Sequence, residues 1–197
     1  TIGENTFSLD KPFLVLATQN PVDQEGTYPL PEAQVDRFMM KVNIEYPSKA
    51  DELEVMRRMT NSKFTSEVRP ILNKEEIFDI RSAINEVQIA EALENYIIEI
   101  VFSTRFPEKY GMHEEAKYIQ FGASPRASIN LNLAAKANAF MQGRDYVLPE
   151  DIKEVAEDVL NHRIILNYEA EADNVSTRDL INKILDKIPL NKSATLQ

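Results

Sequence analysis

Asn20, Arg37 and Arg126 are the side chains whose type and setting suit them to phosphate chemistry. Asn20 stands in Ala17-Thr18-Gln19-Asn20-Pro21, just past the apolar run Phe13–Ala17. If that run is a buried strand, its carboxyl end is where open α/β sheets bind their ligands. An amide placed there can donate to a phosphate oxygen and orient a water. Asn ahead of Pro is equally a good turn opener, so the dipeptide alone leaves both readings open. Arg37 follows a short predicted helix over 31–36 and precedes a second apolar segment. Its guanidinium fork matches phosphate geometry better than an ammonium does. Held by Asp36 or another local acid instead, it would be a surface pair worth little. Arg126 lies in the first turn of a predicted helix, with Ser124 as N-cap and Pro125 as first helical residue. A cation at that end opposes the helix dipole at a cost of ~0.3–1 kcal/mol. Either an incoming phosphate or a neighbouring carboxylate would offset that cost.

These three residues need elements to hold them. The first 47 residues carry five of the ten prolines and two of the five glycines, and the remainder reads mostly as helix. Phe-Leu-Val-Leu-Ala at 13–17 fits a strand buried on both faces of a parallel sheet. Met40, Val42, Ile44 and Tyr46 alternate with polar residues, as in a strand with one solvated face. So few strands cannot close a parallel sheet by themselves. The N-terminal part therefore reads as a piece of a larger α/β layer. Ser48 with Asp51, Asn73 with Glu76, Pro149-Glu150-Asp151 and Ser176 mark helix starts. Apolar stripes follow them: Leu53, Met56 and Met59; Ile77, Ile80, Ile84 and Val87; Leu93, Tyr96, Ile97, Ile100 and Val101. Three more come later: Leu133, Ala137, Phe140 and Met141; Ile152, Val155, Ala156 and Val159; Leu180, Ile181, Ile184 and Ile188. Each is expected to face a core. The fold class is thus α/β plus all-α, with a change of architecture between Pro47 and Pro70.

Composition removes other classes. With no cysteine among 197 residues, disulfide frameworks, thiolate metal sites and cysteine nucleophiles are excluded. His113 and His162 lie far apart without a second ligand at helical spacing, which argues against a protein-only zinc site. A net charge of -10 argues against bulk neutralisation of nucleic-acid phosphates. No apolar stretch approaches the ~20 residues that cross a bilayer, so the expected compartment is the cytoplasm. The glycines at 3, 26, 111, 122 and 143 are scattered, and none precedes a lysine. No phosphate-cradling loop and no apolar strand ending in Asp-Glu is present to hold a triphosphate with magnesium.

The run Phe13 to Pro21, continuing through Glu25-Gly26-Thr27-Tyr28-Pro29-Leu30-Pro31-Glu32-Ala33-Gln34-Val35-Asp36-Arg37-Phe38, resembles the MoxR family of AAA+ ATPases. Gly122-Ala123-Ser124-Pro125-Arg126-Ala127 is similar to that family's lid motif, and Leu160-Asn161-His162-Arg163-Ile164 to its late lid segment. The resemblance implies the C-terminal portion of such an ATPase. Residues 1–68 would be the last part of an αβα core and residues 69–197 a helical lid. It implies that Asn20 is the sensor-1 amide, Arg37 an arginine finger supplied to a neighbouring subunit, and Arg126 the sensor-2 arginine. ATP and Mg2+ would be held mainly by the segment that this sequence lacks, so the chain alone is expected to be inactive. A homo-oligomeric, hexameric ring and chaperone-like work on partners with von Willebrand factor A domains are further implications. A magnesium-chelatase-type motor subunit and a non-enzymatic helical interaction module are the alternatives. The Gly26-Thr27-Tyr28-Pro29-Leu30-Pro31 stretch favours the MoxR reading over the chelatase one.

Overall fold

A computed structural model describes residues 8–19, 30–61 and 68–190. Helix starts fall where the capping residues place them. Ser48 opens α2 (Lys49–Met59), its side chain accepting from the Asp51 N–H. Asn73 and Glu76 form a reciprocal capping box at α3 (Lys74–Glu86), after a short α1 (Glu32–Val35) nearer the N-terminus. Proline at the first position starts both α6 (Pro125–Met141) and α7 (Pro149–Leu160). Ser176 and Asp179 cap α9 (Thr177–Lys187) reciprocally. Between these lie α4 (Glu91–Arg105), a 3-10 turn at Pro107–Tyr110, α5 (His113–Ala116) and α8 (Tyr168–Ala172). An antiparallel pair of β1 (Ile119–Phe121) and β2 (Ile165–Leu166) ties the segment before α6 to the segment after α7.

The core lies among α4, α6, α7 and α9. Ile97, Ile100, Val101, Leu131, Ile152, Val159, Leu160, Ile181 and Ile184 are all at or near zero exposure. The α4, α7 and α9 stripes are those expected from the sequence. The α6 stripe is rotated. Its buried face is Ala127, Leu131, Ala134, Ala135, Asn138 and Ala139, while Leu133 and Met141 point outward at 42% and 75% exposure. Small side chains let α7 approach α6 closely, and a wider Leu-Phe-Met face could not, so helix packing overrode the choice by side-chain size.

Four further expectations are corrected. The stripe Leu53, Met56 and Met59 is exposed, and α2 has no buried residue among those described. The α3 stripe is half-buried except for Val87, which is fully buried. Neither Phe13–Ala17 nor Met40–Tyr46 forms a strand: Leu14, Leu16, Ile44 and Tyr46 are 80% or more exposed. A strand is defined by ladder bonds to a neighbour, and no described residue offers these two segments an adjacent strand. Residues 36–41 instead run onto the helical bundle, where Met40 packs against the core and the Lys41 N–H donates to the Asp158 carbonyl at 2.8 Å.

Candidate functional site: a carboxylate between two arginines

The turn that presents Arg126 is built from the end of α4. Gly122 passes so close to that helix that an added Cβ would stand 2.4 Å from the Thr104 carbonyl oxygen. Glycine is therefore required by close approach alone. Thr104 Oγ1 then accepts from the Ala123 N–H at 2.9 Å, and Arg105 Nε donates to the Ala123 carbonyl at 2.7 Å. With both polar groups of Ala123 fixed, Ser124 arrives in extended conformation as N-cap, accepting from the Arg126 N–H at 3.2 Å. The Gly-Ala-Ser-Pro-Arg order is thus a sequence of steric and hydrogen-bonding requirements that ends with a guanidinium at the start of a 17-residue helix.

The first turn of α6 contains no acid. The acid comes from a distant part of the chain. Asp36, just beyond α1, accepts from Arg126 Nη1 at 2.9 Å and from Ser124 Oγ at 2.9 Å to each carboxylate oxygen. On its other side Arg163 Nε donates to Asp36 Oδ1 at 3.1 Å. The carboxylate reading of Arg126 is therefore realised, by a residue 90 positions away. Burial alone would raise the Asp36 pKa, but the Ser124 and Arg126 hydrogen bonds and the charges of Arg163 and Arg126 outweigh it. The net effect holds the carboxyl below its ordinary range.

Arg163 is the fixed member. Its side chain is fully buried. Nη1 donates to the carbonyls of Met39 and Val159, and Nη2 to those of Asp36 and Phe38. Together with Nε, all five guanidinium N–H groups have acceptors. Next to it His162 places Nε2 3.1 Å from the Phe38 carbonyl, while its buried Nδ1 has no partner. A carbonyl only accepts, so a proton belongs on Nε2, and the partnerless buried Nδ1 disfavours a second proton and hence the charged ring. Burial, then the Arg163 and Lys41 charges, lower the His162 pKa against the opposing Phe38 bond and Asp36 charge.

Arg37 is exposed, and its side chain has no hydrogen bond or ion pair with any described residue. Asp36 does not hold it, contrary to the local-pair alternative. Asn20 lies outside the described residues. The structure thus brings Arg126 to within one residue of Arg37 through Asp36. Sequence reasoning offered Asp36 only as an alternative partner for Arg37 and gave Arg163 and His162 no functional role. The signal for Arg163 was faint: a cation three residues past the amphipathic α7 and directly ahead of the apolar run Ile164-Ile165-Leu166.

Among the described residues no group of three or more His, Asp or Glu could hold a metal ion, and no helix is long and apolar enough to cross a membrane.

Comparison with known proteins places these features. Residues 1–40 match the ATPase family associated with various cellular activities (AAA), and residues 113–184 match the AAA lid domain. The chaperone MoxR1 of Mycobacterium tuberculosis is 43% identical over 190 residues, spanning 96% of this chain and 50% of that protein. The protein MoxR of Methylorubrum extorquens is 34% identical over 187 residues, spanning 89% of this chain and 54% of that protein. A crystal structure from Cytophaga hutchinsonii, of a protein assigned as an ATPase, superposes with a TM-score of 0.91 at 64% identity. It covers 98% of this chain, which covers 58% of it. The chain spans about half the length of the curated relatives it matches.

Proposed function

Because the chain belongs to the MoxR family of AAA+ ATPases, with part of an αβα core followed by a helical lid, we propose that it forms the nucleotide-sensing part of an ATP-driven protein-remodelling motor. In this reading Arg126 contacts the terminal phosphoryl group of ATP from the lid. Arg37 reaches a nucleotide bound by the neighbouring subunit of a hexameric ring, and Asn20 contacts the same phosphoryl group or the attacking water. Residues 1–68 belong to the core and 69–197 to the lid. The motor works in the cytoplasm on partner proteins, those with von Willebrand factor A domains being the class the family suggests.

One observation supports this reading above the others. Arg126 sits at the N-terminal end of α6 with its side chain 54% exposed, and its carboxylate partner is directly followed by the exposed Arg37, whose side chain pairs with no described residue. Phosphoryl transfer demands positioned charge more than covalent chemistry, and guanidinium groups at the reaction's developing charge supply it. The donor set fits a phosphate: a planar guanidinium fork at the positive end of a helix dipole, with no acid in the first turn. It does not fit a cation, so Mg2+ would be bound by other parts of the motor, together with ATP whose phosphates it neutralises.

The sequence contains no Gly-x-x-x-x-Gly-Lys-Ser/Thr run. The 197-residue polypeptide on its own is therefore expected to bind ATP weakly and not to hydrolyse it. Isothermal titration with an ATP analogue tests this, and micromolar affinity would refute it. The functional test uses a polypeptide that joins this chain to a nucleotide-binding segment. There Arg37→Ala should cut hydrolysis by ~10³ or more while nucleotide still binds. Hydrolysis at the parent rate would show that Arg37 is no finger.

A further inference from the structure

The carboxylate that holds Arg126 holds a second cation as well, and the two cations differ in their freedom to leave. Arg163 is fully buried, with every N–H engaged, and it cannot depart without stranding a charge and the carbonyl oxygens at 36, 39 and 159. Arg126 offers Asp36 one bond, from Nη1 at 2.9 Å, and more than half of its side chain faces solvent. Ser124 Oγ remains on the carboxylate whichever way Arg126 turns. Two guanidinium groups against one carboxylate also leave a positive charge without a counterion among the described residues, and the mobile partner carries it.

We propose that Asp36 is a latch and positioning residue: it parks Arg126 while no nucleotide is bound and yields it to an incoming phosphoryl group, staying itself on Arg163 and Ser124. The proposal rests on the reading of Arg126 as the phosphate sensor. The exchange replaces one anion by another on the same guanidinium, with no bond made or broken in the covalent frame. Its logic follows from the asymmetry of the clasp. Because Arg163 bonds the backbone at 36, 38 and 39, the chain that carries Arg37 keeps its place when Arg126 departs. Because Asp36 competes with phosphate for Arg126, the parked state opposes nucleotide binding.

The test uses the polypeptide that includes the nucleotide-binding segment, with a non-hydrolysable ATP analogue as probe. Asp36→Asn removes the competing charge and keeps the shape. It should tighten analogue binding and lower KM by roughly two- to fivefold, the range of an exposed ion pair. ADP, which lacks the terminal phosphoryl group, should respond less. Asp36→Glu should bind the analogue as the parent does. In an Arg126→Ala background the Asp36→Asn effect should vanish. No tightening in Asp36→Asn, or tightening that survives in Arg126→Ala, overturns the latch. An Arg126→Ala protein that binds the analogue as well as the parent overturns the sensor reading instead. If Asp36→Asn does not fold, the parent protein itself reports the exchange by nitrogen-15 NMR. The Arg126 Nε–H signal, assigned from its loss in Arg126→Lys, should shift on adding analogue while that of Arg163 stays, and an unmoved Arg126 signal with analogue bound overturns the proposal.

Discussion

Arg163 Nε lies 3.1 Å from Asp36 Oδ1, joining two residues 127 positions apart and fastening the segment after α1 to the end of α7. The guanidinium is fully buried, whereas the carboxylate keeps 16% of its side-chain surface in contact with solvent. Removing the arginine leaves Asp36 its bonds to Ser124 and Arg126, and leaves the Phe38 carbonyl its His162 bond, but strands carbonyl oxygens at 36, 39 and 159. Arg163→Met is therefore expected to cost ~3 kcal/mol, the range found when one partner of a buried pair is removed. Urea unfolding followed by circular dichroism checks it, and an unchanged midpoint would mean that the clasp contributes nothing to the folded state.

Gly122→Ala tests the close approach behind the arginine-bearing turn. The new Cβ would meet main-chain atoms of Thr104 at 2.4 and 2.6 Å, and backbone cannot rotate aside as a flexible side chain would. A loss of ~2–3 kcal/mol is expected from overpacking of this kind. The thermal midpoint measures it, and a midpoint within a degree of the parent would contradict the contact.

His162 gives stability a pH dependence of fixed sign. Its folded-state pKa lies below that of the unfolded chain, mainly through burial. The unfolded chain therefore binds more protons as acid is added, and the stability due to neutral His162 is full above about pH 6.5 and declines below it. Asp36 and Asp151, also lowered, add a second decline below about pH 4, as pH falls toward their folded values. Chemical unfolding from pH 7.5 to 5 should show the first slope, and His162→Gln should flatten it. A slope equal in parent and variant would assign it to another group.

Asp151 anchors the start of α7. It is 2% exposed, accepts from Arg144 Nη1 and Nη2 at 2.7 and 2.5 Å, and takes the Leu148 N–H at 2.7 Å and Asn138 Nδ2 at 3.1 Å. Asp151→Ala removes the helix cap and leaves the Arg144 guanidinium, which is 21% exposed, without its acid. The expected cost is ~3 kcal/mol. Differential scanning calorimetry measures it, and a loss below ~1 kcal/mol, the cost of an ordinary cap alone, would show that the ion pair adds nothing.

Local chemistry made the helix starts legible: Ser48, Asn73, Pro149 and Ser176 act on atoms within four residues of themselves. The stripes of α4, α7 and α9 were legible because their large apolar residues lie on one face. On α6 the same rule misled, since closeness to α7 selects alanine and leaves Leu133 outside. The Phe13–Ala17 run has strand composition, but composition cannot supply the neighbouring chain that a ladder needs. At the site, Arg126 was visible as a cation at the wrong end of a helix. Its partner was not, because nothing in Asp36 or Arg163 advertises a contact that bridges 90 positions or more.

Four of the five bonds made by Arg163 go to main-chain oxygens, at 36, 38, 39 and 159. Such bonds are indifferent to which side chains sit at 38 and 39 and sensitive only to the path the backbone takes. Phe38 and Met39 can therefore drift in identity while the route past them cannot, so inserting or deleting a single residue in this stretch should be harsher than any swap there.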